Sequence, residues 1–145
     1  MSELLPPSTN GAYRGAPAAA WFLALLGIGW IGPGLLHSFL TDGGASSIAG
    51  IDLGDRRGVI VAAFAWAGAT QIAHGVVLLV AALRYRSLVP LLLLVSLGER
   101  ALLATAAWVT KTAPGGHHPP EHYGSAALVP AIAVFLALSL RPRAG

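Results

Sequence analysis

Hydrophobic positions in this chain fall into four long runs, separated by polar segments rich in glycine and proline. No Asp, Glu, Lys or Arg occurs from Gly15 to Thr41, from Gly58 to Leu83 or from Tyr123 to Leu140, and Ser87 to Thr110 is interrupted only by Glu99 and Arg100. A helix needs about 20 mostly apolar residues to cross a hydrocarbon layer roughly 30 Å thick. The pattern predicts an all-α fold, an integral membrane four-helix bundle, with helices over about 16–40, 59–83, 88–110 and 124–140 in a single domain spanning 16–141.

The segments between the runs shape this bundle. Residues 1–15, with Pro6, Pro7, Ser8, Thr9, Asn10 and Gly11, read as a flexible tail, and 142–145 as a short C-terminal one. Pro33, flanked by Gly32 and Gly34, predicts a kink that frees a backbone carbonyl and bends the first helix toward its His37 end. The connection from Asp42 to Arg57 holds Gly43, Gly44, Gly50 and Gly54, the composition of an irregular or interfacial loop. Only Arg84, Tyr85 and Arg86 separate the second and third runs, which predicts an antiparallel hairpin whose side chains meet. A second polar loop carries Pro114, Gly115, Gly116, Pro119 and Pro120. Small residues four apart, as in Ala63 and Ala67, Ala101 and Thr105, or Ala127 and Ala131, allow close helix packing, and the glycines between Gly27 and Gly34 read as packing or kink residues.

Composition narrows the class. The 145 residues are 55% hydrophobic and 10% charged, against roughly 25% charged in soluble domains. The net charge of +3 comes from nine Lys and Arg residues, nearly all in loops and tails. They form no basic patch, which argues against a nucleic-acid partner. The absence of cysteine excludes disulfides, thiolate-held iron–sulfur clusters and thiol nucleophiles. The first run is long and lacks a polar cleavage region before Asp42, so it reads as an uncleaved helix rather than a signal peptide. Arg14, Arg84, Arg86, Arg141 and Arg143 gather on one side of the spans, and Arg56, Arg57 and Lys111 on the other. The positive-inside rule then places both termini in the cytoplasm and both long loops outside. The lipid bilayer is the first partner, with a membrane protein or a second copy of the chain as further ones.

Chemistry concentrates on the third run. Glu99 and Arg100 lie near its midpoint, where each charge costs about 2.5 to 3.5 kcal/mol on insertion scales. Adjacent helical residues diverge by about 100° and cannot simply neutralise each other. The second run supplies Gln71 and His74 on one face, and Ser96 lies one turn before Glu99. Together Gln71, His74, Ser96, Glu99 and Arg100 form a candidate midplane cluster for ligand binding or proton exchange, against the simpler role of an interhelical network that only fixes packing. Trp30, Trp66 and Trp108 are available to line such a pocket, although Trp21 and Trp108 also suit interfacial anchoring.

Two metal-based alternatives are weaker. Haem ligation by His37 and His74 conflicts with an axial offset of about 18 Å at 1.5 Å per residue. The stretch His117-His118-Pro119-Pro120-Glu121-His122 offers His117, His118 and His122 as metal ligands, but the spacing matches no strong metal motif and the prolines preclude an ordinary helical pairing of His118 with His122. No motif for serine hydrolysis, phosphate binding or zinc-protease chemistry occurs.

The four-span layout, the small-residue-rich second helix followed by Leu83-Arg84-Tyr85-Arg86, and the segment Leu97-Gly98-Glu99-Arg100 resemble the DoxX-like group of small bacterial membrane proteins. The resemblance implies a bacterial inner (cytoplasmic) membrane location and a link to quinone-dependent redox systems, and it assigns no catalytic residue. The leading expectation is a protein whose midplane cluster contacts the polar end of a hydrophobic ligand such as a quinone or lipid, with or without catalysis. An accessory subunit of a larger bioenergetic membrane complex is the alternative. A proton-coupled transporter ranks below both, because the two halves of the chain show no internal repeat.

Overall fold

The computed structural model describes residues 4–112 and 116–142. Residues 1–3 of the tail, Pro114 and Gly115 of the second loop, and Arg143 of the charge balance lie outside the described residues. The chain forms α1 (Pro17–Phe39), α2 (Arg57–Arg84), α3 (Val89–Thr105) and α4 (Pro120–Leu140). A π turn at Ala106–Thr110 extends α3, closed by Lys111 N–H donating to the Ala106 carbonyl at 2.8 Å. With their flanking turns, all four helices are long and apolar enough to cross a membrane.

Proline sets several of these boundaries. Pro17, Pro90 and Pro120 stand in the first turns of α1, α3 and α4, where a missing N–H costs nothing and the fixed φ suits the helix. α4 accordingly begins at Pro120 rather than near residue 124, which brings Glu121 into the helix. α1 continues through Pro33.

Glycine brings α1 and α2 together. Gly27 and Gly34 stand two turns apart on α1 and face Gly75 and Gly68 of α2. A Cβ at Gly27 would lie 2.8 Å from the Gly75 carbonyl oxygen, and one at Gly34 would lie 2.9 Å from the Gly68 carbonyl oxygen. Each glycine thus fills the space that a larger residue would need, and the two backbones touch. α3 packs chiefly along α4. The expected hairpin of α2 and α3 forms, but it is splayed: the two helices make little contact along their lengths, because each spends its packing face on another partner.

The core lies toward the end of the bundle that carries the α2–α3 turn. Leu23, Leu78, Val89, Leu93 and Ile132 come from all four helices and are essentially sealed from solvent. Phe22 and Phe135 stack beside them with centroids 3.9 Å apart. The tail, read as flexible, is tied to this end. Ser8 Oγ and Thr9 N–H both donate to the Arg84 carbonyl, Asn10 Nδ2 donates to the Leu83 carbonyl at 2.7 Å, and Arg86 N–H donates to Asn10 Oδ1. These bonds satisfy carbonyls that the last turn of α2 would otherwise leave unpaired. Outward, Trp21, Leu25, Ile28, Leu35 and Phe39 form an exposed apolar stripe on α1. Single exposed apolar side chains are ordinary, but a whole helix face of them is not.

Candidate functional site

Between the splayed helices, on the side of the two long loops, lies a cavity of about 900 Å³. Its walls are largely apolar, built from Pro33 and Leu36 of α1, Ala63 and Phe64 of α2, and Leu103 and Ala106 of α3. Residues of both loops, among them Ile48, Ala49 and Pro119, line its outer end. Asp42 accepts hydrogen bonds from the N–H groups of Gly44, Ser46 and Ser47 and from Ser47 Oγ, winding the chain into a tight turn and holding its own carboxyl well below the usual carboxylate range, to about 2. Gly43, at φ 62°, allows that turn and leaves its carbonyl for His37 Nδ1, which donates at 2.6 Å. His117 Nε2 donates to the Ala49 carbonyl at 2.8 Å, joining the second loop to the first.

At the inner end of the cavity stand Gln71, His74 and Glu99. Helical spacing puts Gln71 and His74 on one face of α2, opposite Glu99 of α3. His74 Nε2 and Glu99 Oε2 are 3.7 Å apart, which is too long for a hydrogen bond. Both atoms are buried without a hydrogen-bond partner, as is Gln71 Oε1. Buried polar atoms are normally paired, and leaving one unpaired costs about 1–3 kcal/mol. Three such atoms around one cavity leave hydrogen-bonding capacity there for water or another polar group.

Arg100 turns away, as the 100° step along a helix requires. Its Nη1 donates to Glu121 Oε1 at 3.0 Å and to Ser125 Oγ at 3.1 Å, both on α4. Its guanidinium carbon lies 4.0 Å from the ring centroid of Trp30, an attractive cation–π arrangement. Trp30 in turn meets His74 edge-on, with centroids 5.4 Å apart. Arg100 and a face of Gln71 also border a smaller void of about 150 Å³ between α1 and α4.

The five residues of the sequence-derived cluster thus divide. Gln71, His74 and Glu99 share the large cavity. Arg100 sits behind it in an ion pair. Ser96 is buried on α3, its Oγ without a partner, and it does not line the cavity. The depth also differs from a strict midplane placement, because Arg100 meets Glu121 and Ser125 in the first two turns of α4.

Glu121 and Ser125 were absent from the sequence-derived cluster. The signal for them was available: Pro119-Pro120 opens a helix, and residues 121 and 125 are then one turn apart on the face toward α3. Among the tryptophans, Trp30 lies at the site, Trp66 is exposed, and Trp108 donates from Nε1 to the His122 carbonyl at 3.2 Å.

The loop histidines also divide. His118 Nδ1 and His122 Nδ1 lie 3.1 Å apart, sharing a hydrogen bond, and His118 stacks on Trp108 with centroids 4.0 Å apart. His117 is engaged with Ala49 instead. Among the described residues no three His, Cys, Asp or Glu side chains are grouped to hold a metal ion. His37 and His74 both border the cavity, at its loop end and its inner end respectively.

Four apolar helices of spanning length, enclosing a loop-roofed cavity with unpaired polar atoms at its inner end, are what there is to compare with other proteins. No protein-family model, curated protein or solved structure matches this chain.

Proposed function

We propose that this chain is an integral protein of a bacterial inner membrane, with cytoplasmic termini, that binds the polar end of a hydrophobic molecule such as a quinone or lipid in the large cavity. The observation that carries the reading is the pairing of an apolar chamber of about 900 Å³ with the three buried, partnerless atoms Gln71 Oε1, His74 Nε2 and Glu99 Oε2 at its inner end. Binding pockets for small molecules typically measure roughly 300–1,000 Å³ and combine apolar walls with a few polar groups. The apolar tail would lie along Phe64 and Leu103, while the head group takes hydrogen bonds from the inner end. Arg100, held by Glu121, Ser125 and Trp30, would serve as support behind Trp30 and His74 rather than as a ligand contact. The DoxX-like resemblance favours a quinone over other hydrophobic molecules. The exposed apolar stripe on α1 is consistent with lipid as the outer solvent.

Two measurements test the reading. Cysteines introduced at Ser46 and Gly116 should react with an impermeant reagent from outside the cell, and labelling from the cytoplasmic side alone would overturn the orientation. Intact-complex mass spectrometry of protein released in native lipid discs should show one hydrophobic molecule retained per chain. A chain that carries none, even after incubation with extracted membrane quinones and lipids, would contradict the assignment.

A further inference from the structure

We infer that the cavity selects a head group by its hydroxyl, so that a hydroquinone or another hydroxyl-bearing amphiphile binds in preference to the matching quinone. This rests on the proposed ligand-binding role and narrows it to a chemical class. The argument comes from the atoms left unpaired. We take Glu99 in its carboxylate form, which offers only acceptors, and the unpaired atom of Gln71 is its amide oxygen. His74 Nε2 stands 3.7 Å from Glu99 Oε2. That gap is too wide for direct bonding, yet one oxygen at ordinary hydrogen-bond distance can touch both atoms.

A hydroxyl oxygen placed there accepts from the imidazole N–H and donates its own proton to the carboxylate, pairing both groups at once. A ketone oxygen can accept from His74 but has nothing to give Glu99. Binding a quinone would therefore bury the carboxylate still unpaired, and that mismatch is the type that discriminates strongly between ligands. Arg100 does not relieve it: its Nη1 is taken by Glu121 Oε1 and Ser125 Oγ, and its ion pair is with Glu121 rather than Glu99. No other cation is near enough to form an ion pair with Glu99 among the described residues. The amide oxygen of Gln71, also unpaired on the cavity wall, is available to accept from a second hydroxyl.

The test is a titration of the intact chain in phosphatidylcholine discs, under argon, followed by native mass spectrometry. Three probes share a ten-carbon tail: decylhydroquinone, decylbenzoquinone and monodecanoylglycerol. Decylhydroquinone should bind about tenfold more tightly than decylbenzoquinone, the ratio expected for one well-placed hydrogen bond to a charged acceptor. In Glu99→Gln the hydroquinone affinity should fall by about tenfold while that of the quinone moves by less than about threefold. Tighter binding of the glycerol lipid than of the hydroquinone would support the hydroxyl rule and identify a lipid as the source. Equal or tighter binding of the quinone by the unaltered chain would overturn the inference and leave the cavity-ligand role intact. An equal loss of both redox forms in a folded Glu99→Gln chain would overturn it as well. Should that variant fail to fold, the ratio in the unaltered chain decides. Failure of all three probes to bind would overturn both the inference and the role on which it rests.

Discussion

The two ends of this bundle solve the same packing problem in opposite ways. Toward the α2–α3 turn, Leu23, Leu78, Leu93 and Ile132 from four helices interlock, and the tail pairs the last carbonyls of α2. Toward the long loops the helices part around a cavity, and polar atoms on its wall are left without partners. One end is closed by interlocking apolar side chains and by the docked tail. The other holds open a space that costs contacts and unpaired hydrogen-bonding groups, which a packing role alone would not require. Stability should therefore reside at the closed end and in the α1–α2 seam, and ligand recognition at the open end.

Substitutions that break the contrast should differ in size accordingly. Gly75→Leu should have the largest effect, because a Cβ there would already lie 2.7 Å from Ile31 Cγ1 and the seam has no room to move. Overpacking of this kind costs about 3 kcal/mol, visible as a lowered midpoint in reversible unfolding from mixed micelles. Gly98→Ala is the matched control, since nothing lies within 4 Å of a Cβ at Gly98, and its midpoint should barely change.

Arg100→Leu should come next. It removes the bonds to Glu121 and Ser125 and the stack on Trp30, but Glu121 is 40% exposed and can rehydrate. The loss should be roughly 2 kcal/mol, below the figure for a fully buried pair, read in the same unfolding assay. A change as large as that of Gly75→Leu would place the structural weight at the open end instead.

The loop roof should respond to acid. The Asp42 carboxyl is depressed from 3.8 to about 2 by its backbone hydrogen bonds. The ionised form therefore favours the folded turn at pH above 3.8, and that preference should disappear as pH falls toward about 2. Amide exchange of Gly44, Ser46 and Ser47 should quicken over this window, and Asp42→Asn should abolish the pH dependence while leaving the core protected.

The four helices and part of the site could be anticipated from sequence, for identifiable reasons. Four apolar runs predict four helices because spanning length and apolarity are properties of local composition. Gln71, His74 and Glu99 converge because their spacing on neighbouring helices fixes their faces. The partner of Arg100 was not anticipated because it depends on where α4 starts, and the two prolines shifted that start toward the loop. The splaying of α2 from α3 was also hidden. It follows from the glycine seam that gives α2 to α1, and a short connecting turn says nothing about which neighbour a helix prefers. The tail's docking depended on unpaired carbonyls at the end of α2, a demand that composition alone does not reveal.

The central claim is that Glu99 reads a ligand rather than holding the bundle together. Glu99→Gln keeps size and one acceptor oxygen while replacing the ionisable carboxyl, so the midpoint of unfolding should move by less than about 1 kcal/mol. Native mass spectrometry of that variant in phosphatidylcholine discs, at a decylhydroquinone concentration that half-saturates the parent chain, should show occupancy by that probe sharply reduced in a folded protein. Unchanged decylhydroquinone occupancy in the folded Glu99→Gln chain would contradict the claim and return Glu99 to a packing role.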